Sequence, residues 1–161
     1  MKAVDIIREE HRSMASVLKS LLNQAQAARA GTAEADWPLY AAMLDYLQAF
    51  PEVTHHPKED QFLFPALRRR YANAESLLAT LEEEHKAGAD LLRRLARQLE
   101  ESRASQRIDN FADALEGYAQ FQWRHMEREE REVLPLAMEK LLTADWSAID
   151  AAFAANREPR W

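Results

Sequence analysis

Not one of the 161 residues is cysteine. Disulfide staples, thiolate metal sites and cysteine nucleophiles are therefore excluded, any bound metal has to be held by nitrogen and oxygen, and a reducing cytoplasm is the expected setting. Glycine is scarce, with three residues, and proline is limited to six. Breaks in the chain are correspondingly few, and the plentiful Ala, Leu, Glu and Arg favour helix almost everywhere. No stretch approaches the ~18 uninterrupted apolar residues of a membrane span, and Met1-Lys2-Ala3-Val4-Asp5 meets an acid too early for the apolar segment of a signal peptide. A basic face is missing as well: the formal net charge is −6, and Arg68-Arg69-Arg70 and Arg93-Arg94 are short clusters of the kind a solvated helix face carries. These absences argue against a nucleic-acid surface and a membrane anchor. A length of 161 residues at 47% hydrophobic content supports one all-α domain over 1–161 with a single sizeable core.

What the chain does have is a pattern stated twice. His55, Glu59 and Pro65 recur as His125, Glu129 and Pro135, and each set follows a Glu-Glu-His step, Glu9-Glu10-His11-Arg12 and Glu83-Glu84-His85-Lys86. The doubled unit, His…His-x3-Glu, takes four of the five histidines. A helical hairpin repeated with two imidazoles and one carboxylate in each half is what a two-metal site inside a four-helix bundle requires.

Hydrophobic periodicity locates these residues. Val4, Ile7, His11, Met14, Leu18 and Leu21 fall at steps of three and four, so a first helix is expected over about 3–29 with His11 inward. Gly31, Thr32 and Asp36 make a loop, and Pro38 opens a second helix reaching about residue 70. Pro51 and Pro57 each remove a backbone donor from it, so it has to bend or bulge around His55 and His56. Asn73 and Ala74 begin a third helix with an inward stripe of Leu78, Leu81, His85, Gly88, Leu92, Leu95 and Leu99. A fourth, about 106–140, turns Phe111, Leu115, Tyr118, Gln122, His125, Glu129 and Leu136 inward. The bundle thus covers about 3–140; a short fifth helix, about 144–157, presents Trp146, Ile149 and Phe153 for packing outside it, and 156–161 reads as a loose tail.

Positions i and i+4 share one helix face, so His55 with Glu59, and His125 with Glu129, can each offer a ring nitrogen and a carboxylate to one point, where His11 and His85 meet them from facing helices. Four imidazoles and two carboxylates in a core layer are costly to bury, and a pair of cations offsets that cost. With nitrogen and oxygen donors and carboxylates able to bridge, an iron pair suits the set, ahead of manganese and of the closed tetrahedron of structural zinc. If both acids bridge, the imidazoles bind and a solvent oxygen links the ions, about two octahedral positions stay open to O2, H2O2 or NO.

Other readings of the same residues stand beside this one. Inward histidines can simply be hydrogen-bonded core residues in a metal-free bundle. His56 with Asp60 offers a frame shifted by one residue, without a matching second histidine in the fourth helix. Glu52-x-x-His55 and Glu82-x-x-His85 have the spacing of ferritin-like oxidase sites, which would leave His11 and His125 idle. Gln122 is suited to hydrogen bonding near the site or to a partly exposed polar position, Tyr118 and Tyr46 to core packing ahead of donating a hydrogen bond or an electron near the site, and Gly88 either to leaving room for a small molecule or to close helix contact.

At these residues the chain resembles the hemerythrin-like HHE cation-binding family. Ile7-Arg8-Glu9-Glu10-His11, the run from His55 to Pro65 and His125-Met126-Glu127-Arg128-Glu129-Glu130 carry the likeness, which extends to the C-terminal segment Asp145–Phe153. The resemblance implies an antiparallel up-down-up-down four-helix bundle around a non-haem di-iron centre, its two iron ions oxo- or hydroxo-bridged. It implies His11, His55, Glu59, His85, His125 and Glu129 as ligands, with both glutamates bridging. Oxygen-carrying members have a further histidine one turn after the third, where this chain has Ala89, and an aspartate five residues after the last, where it has Glu130. The set is closer to the His-His-x3-Glu-His-His-x3-Glu subgroup, associated with peroxide decomposition, nitrosative-stress repair or iron and oxygen sensing. A small diatomic or peroxide ligand is the implied partner; the alternative within this resemblance is a non-catalytic iron or oxygen sensor or an iron store.

Overall fold

The computed structural model describes residues 1–157, and every regular element among them is helical. Four long helices, α1 (Lys2–Arg29), α2 (37–70), α3 (Glu75–Ser105) and α4 (109–140), pack side by side as a helical bundle, followed by the short α5 (Thr143–Ala154). Each start and stop has a local cause. Gly31, at φ +78°, ends α1 in the left-handed conformation, with Thr32 N–H reaching back to the Ala27 carbonyl. The Asp36 carboxylate accepts the Leu39 N–H at 3.1 Å to open α2. The first turn of α1 has no cap of its own; the Ala3 N–H donates to Asp150 of α5 at 2.7 Å.

α2 is not one regular rod. Its turns widen over Gln48–His55 and again over Glu59–Leu63, and α4 widens in the matching place, Glu129–Val133. The donors span five residues: His56 N–H to Pro51 O, Phe64 N–H to Glu59 O and Leu134 N–H to Glu129 O. Proline cannot donate to the carbonyl four residues back and its ring crowds that carbonyl, so a wide turn relieves the clash just ahead of Pro65 and Pro135. The bulge expected from the prolines of α2 is therefore present, and the repeated proline has a structural purpose: it sets the same wide turn directly after each glutamate.

That turn also corrects one expectation. Leu136 is only half-buried, while Val133, Leu134 and Ala137 fill the core instead. An extra residue in the turn advances the inward face by one position, which a strict period of 3.6 misses.

The stripes of α1 and α3 are buried as expected, and two apolar clusters result. One gathers Met14, Leu18, Leu21, Tyr40, Leu92, Leu95, Phe111 and Leu115; the other gathers Ile7, Leu67, Leu78, Leu81, Ala137, Trp146, Ile149 and Phe153. The repeated His and Glu residues lie between them on every long helix. α5 packs against α1 and α2 as part of the second cluster: Trp146, Ile149 and Phe153 are buried, and the Phe153 ring stands edge-on to His55 at 6.1 Å. Phe153→Ala is expected to cost about 3–5 kcal/mol, as deletion of a fully buried aromatic does, readable as a lower denaturant midpoint. Asn156 corrects the loose-tail expectation as well, since its amide donates to both Glu10 oxygens at 3.1 and 3.0 Å; residues 158–161 lie outside those described.

Candidate metal centre

All six expected residues, His11 on α1, His55 and Glu59 on α2, His85 on α3, and His125 and Glu129 on α4, are buried in the single layer between the two apolar clusters. They divide into two groups. In the first, His55 Nε2 lies 2.5 Å from Glu59 Oε1, His11 Nε2 lies 3.1 Å from Glu129 Oε2, and the two ring nitrogens are 3.2 Å apart. In the second, His125 Nε2 lies 2.5 Å from Glu129 Oε1 and His85 Nε2 lies 3.1 Å from Glu59 Oε2. Each glutamate thus gives one oxygen to each pair of imidazoles. Within each group the donor atoms lie within 4.8 Å of one another.

Of these contacts only that between His11 Nε2 and His55 Nε2 has hydrogen-bond geometry. Both oxygens of Glu59, Glu129 Oε2 and His125 Nε2 are buried and find no hydrogen-bond partner. Buried polar atoms are almost always satisfied, so atoms that converge on common points yet pair with nothing have the arrangement a cation completes. Donor chemistry agrees: nitrogen and carboxylate oxygen suit a divalent or trivalent transition metal.

The opposite face of each imidazole was not foreseen. His55 Nδ1 is 2.9 Å from Glu10, His85 Nδ1 is 2.8 Å from Asp60, His125 Nδ1 is 3.4 Å from Glu84, and His11 Nδ1 stands 3.9 Å from Glu130. Every long helix therefore supplies an acid to the histidine of the next, and α4 closes the circle on α1. An acid behind the ring holds Nδ1 as the protonated nitrogen and turns the Nε2 lone pair to the centre. The signal in the sequence was the acid adjoining each motif residue: Glu10 and Glu84 precede histidines, and Asp60 and Glu130 follow the glutamates. Glu10→Gln is expected to weaken metal retention about 10–100-fold, the usual effect of losing such a partner, measured by competition with a chelator.

In the metal-free chain these groups carry strongly displaced pKa values. Burial opposes charge on His55, but Glu59 and Glu10 outweigh it and push the ring up to about 10. Burial is likewise overcome at His85, held up at about 12 by Asp60, Glu129 and Glu59, and at His125, held up at about 9 by Glu129 and Glu84. Burial and the charge of Glu129 push Glu59 up, yet His55 and His11 keep it well below the ordinary carboxylate range. His56 goes the other way: burial, then the charge of His85, lower it to about 4.

Glu52 faces His56 rather than His55, at 3.7 Å, and Glu82 pairs with Arg68 near the surface, so the ferritin-like spacing assembles no site. Gln122 is buried and donates to the Tyr118 hydroxyl at 3.3 Å. Tyr46 packs on Phe50, with centroids 5.8 Å apart. A Cβ on Gly88 would come within 2.9 Å of Gln122 Nε2 and 3.3 Å of the Phe121 ring, so this glycine serves close contact between α3 and α4.

A family model of the hemerythrin HHE cation binding domain matches residues 2–137, which takes in α1, α2, α3, all of α4 but its last three residues, and all six buried His and Glu residues. The chain belongs to the hemerythrin HHE cation-binding family. No curated protein matches it significantly in sequence. As a hemerythrin HHE domain it is of a cation-binding kind, and among the described residues its buried His and Glu cluster could hold a metal ion. Among the described residues no helix is long and apolar enough to cross a membrane.

Proposed function

We propose that the chain is a cytoplasmic, non-haem di-iron protein that reacts with a small oxidant, O2, H2O2 or NO, with His11, His55, Glu59, His85, His125 and Glu129 as its metal ligands. The observation that carries this reading is the division of Glu59 and Glu129, each with one oxygen toward His11 and His55 and the other toward His85 and His125. Two carboxylates shared in this way suit two ions, and a single ion would leave one imidazole pair without a partner. The antiparallel up-down-up-down arrangement belongs to the same proposal; Arg29, at the end of α1, pairs with Asp113 near the start of α4, while His11 meets Glu129 further along. The lack of cysteine suits a reducing compartment.

When bound, an iron pair supplies electrons and open coordination positions for the oxidant. The protein's share is orientation and exclusion. The acids hydrogen-bonded to His55, His85 and His125 fix those rings, Glu130 stands within ion-pair reach of His11, and the two apolar clusters on either side keep bulk water from the layer. A surface groove between α1 and α4, lined by His11, Ala15, Trp123, Met126 and Glu130, leads to the His11 side and is a route for a small molecule.

Iron-loaded protein is expected to consume hydrogen peroxide faster than the same iron in solution, and His125→Ala to lose both the metal and the excess rate. Equal rates with and without the protein would remove the oxidant reaction from the proposal, and full metal retention in His125→Ala would remove its ligand set. A sensing role is the second reading, favoured by the tie between α5 and the centre through Asn156, Glu10 and His55. Hydrogen exchange in α5 that rises on iron removal, without peroxide turnover, would select it.

A further inference from the structure

Resting on the two-metal reading, we propose that His56 is a fifth imidazole ligand, bound to the ion that His85 and His125 face, with Glu52 fixing its ring. The resemblance that identified the other donors assigns this histidine nothing, yet it occupies the same layer. Its exposure is 4%. The ring stacks on His85 with centroids 4.2 Å apart and stands edge-on to His125 at 5.7 Å. These two distances bracket those of imidazoles that already converge in pairs, 4.7 Å for His85 with His125 and 5.0 Å for His11 with His55. Ring nitrogens of His56, His85 and His125 also all lie within 4.8 Å of one another.

Two buried atoms without partners give the second line of argument. His56 Nδ1 and Glu52 Oε1 are 3.7 Å apart, and neither has a hydrogen bond. Their relation repeats the one seen at His11, His55, His85 and His125, where Nδ1 is turned to an acid and Nε2 to the centre. With Nδ1 turned to Glu52, Nε2 is the nitrogen left for an ion. A cation on Nε2 polarises the ring and strengthens the Nδ1–H donor, which draws Glu52 into use.

The backbone explains how adjacent residues can both serve. In a regular α-helix neighbours point about 100° apart, so one of two consecutive histidines turns from the core. The wide turn Gln48–His55, closed by His56 N–H to Pro51 O, ends where these histidines sit, and both are buried. One ion then takes two imidazoles, from His11 and His55, and the other takes three, from His56, His85 and His125.

Crystals of the full chain loaded with iron, located by anomalous scattering, test this without any substitution. The expected result is His56 Nε2 at about 2.1 Å, an ordinary imidazole–metal distance, from the ion shared with His85 and His125. Two ions with His56 at neither would overturn this inference and leave the two-metal reading standing; no ion in the layer would overturn both. In solution His56→Gln is expected to release one of its two ions to a chelator about 10–100 times faster than the native chain. Release of both ions at native rates would also overturn the assignment.

Discussion

On the proposed two-metal reading, Glu59→Ala is expected to strip both ions from the purified protein, whereas His11→Ala is expected to weaken chiefly one. The difference follows from where each side chain reaches. Glu59 Oε1 lies 2.5 Å from His55 Nε2 and Glu59 Oε2 lies 3.1 Å from His85 Nε2, so truncation takes one oxygen from each group of donors. His11 directs a single Nε2 to the first group, beside His55 and Glu129. A transition metal that loses a charged oxygen donor loses far more affinity than it does with one acid behind an imidazole, where about 10–100-fold is usual. Metal analysis after gel filtration checks the prediction, with Glu82→Ala as the control, since Glu82 pairs with Arg68 away from the layer. Retention of one full equivalent in Glu59→Ala would show that the two groups of donors act independently, and the bridging arrangement would have to be given up.

Much of this was legible because α1 and α3 keep a strict helical period through the site. From Val4 to Leu21, and from Leu78 to Leu99, a residue inward by count is inward in space, and His11 and His85 follow with their stripes. The period fails where backbone donors are missing. In α4 the wide turn after Glu129 moves burial from Leu136 to Ala137, and in α2 it brings His56 to the core beside His55. Pro51 and Pro57 announced a bend in the sequence, though not its consequence for facing. The ring of Glu10, Asp60, Glu84 and Glu130 was out of reach for another reason. Each acid adjoins one motif residue in sequence but acts on a histidine of a different helix, so its partner exists only once the helices have packed. The seat of α5 on Phe153 and His55 is of the same kind: the apolar residues could be named, and the surface they cover could not.

Removing the metal is expected to make stability fall with rising pH, in a range where the loaded protein holds steady. In the metal-free chain the buried negative charge of Glu59 and Glu129 is balanced by protons on the imidazoles, which is why His125 is held up at about 9, His55 at about 10 and His85 at about 12. An unfolded histidine titrates near 6.5. A folded-state pKa above that value means the folded chain binds the proton more tightly, so the stabilisation is complete below about pH 6.5 and is lost as pH rises through the folded values. Between about pH 7 and 12 the metal-free layer therefore loses its balancing protons in turn, from His125 near 9, His55 near 10 and His85 near 12, and approaches two uncompensated buried carboxylates, the costly state of a broken buried ion pair. Bound cations reverse the dependence, because ligands hold metal only when deprotonated, and protons compete for them as pH falls. Thermal midpoints of loaded and chelator-treated protein should thus diverge from pH 6.5 upward. Each kcal/mol lost by the metal-free form moves its midpoint by about 2–4 °C for a chain of this size. Parallel curves over that range would mean that the imidazole protons do not carry the balancing charge, and with it would go the argument that this layer of six buried donors is built around cations.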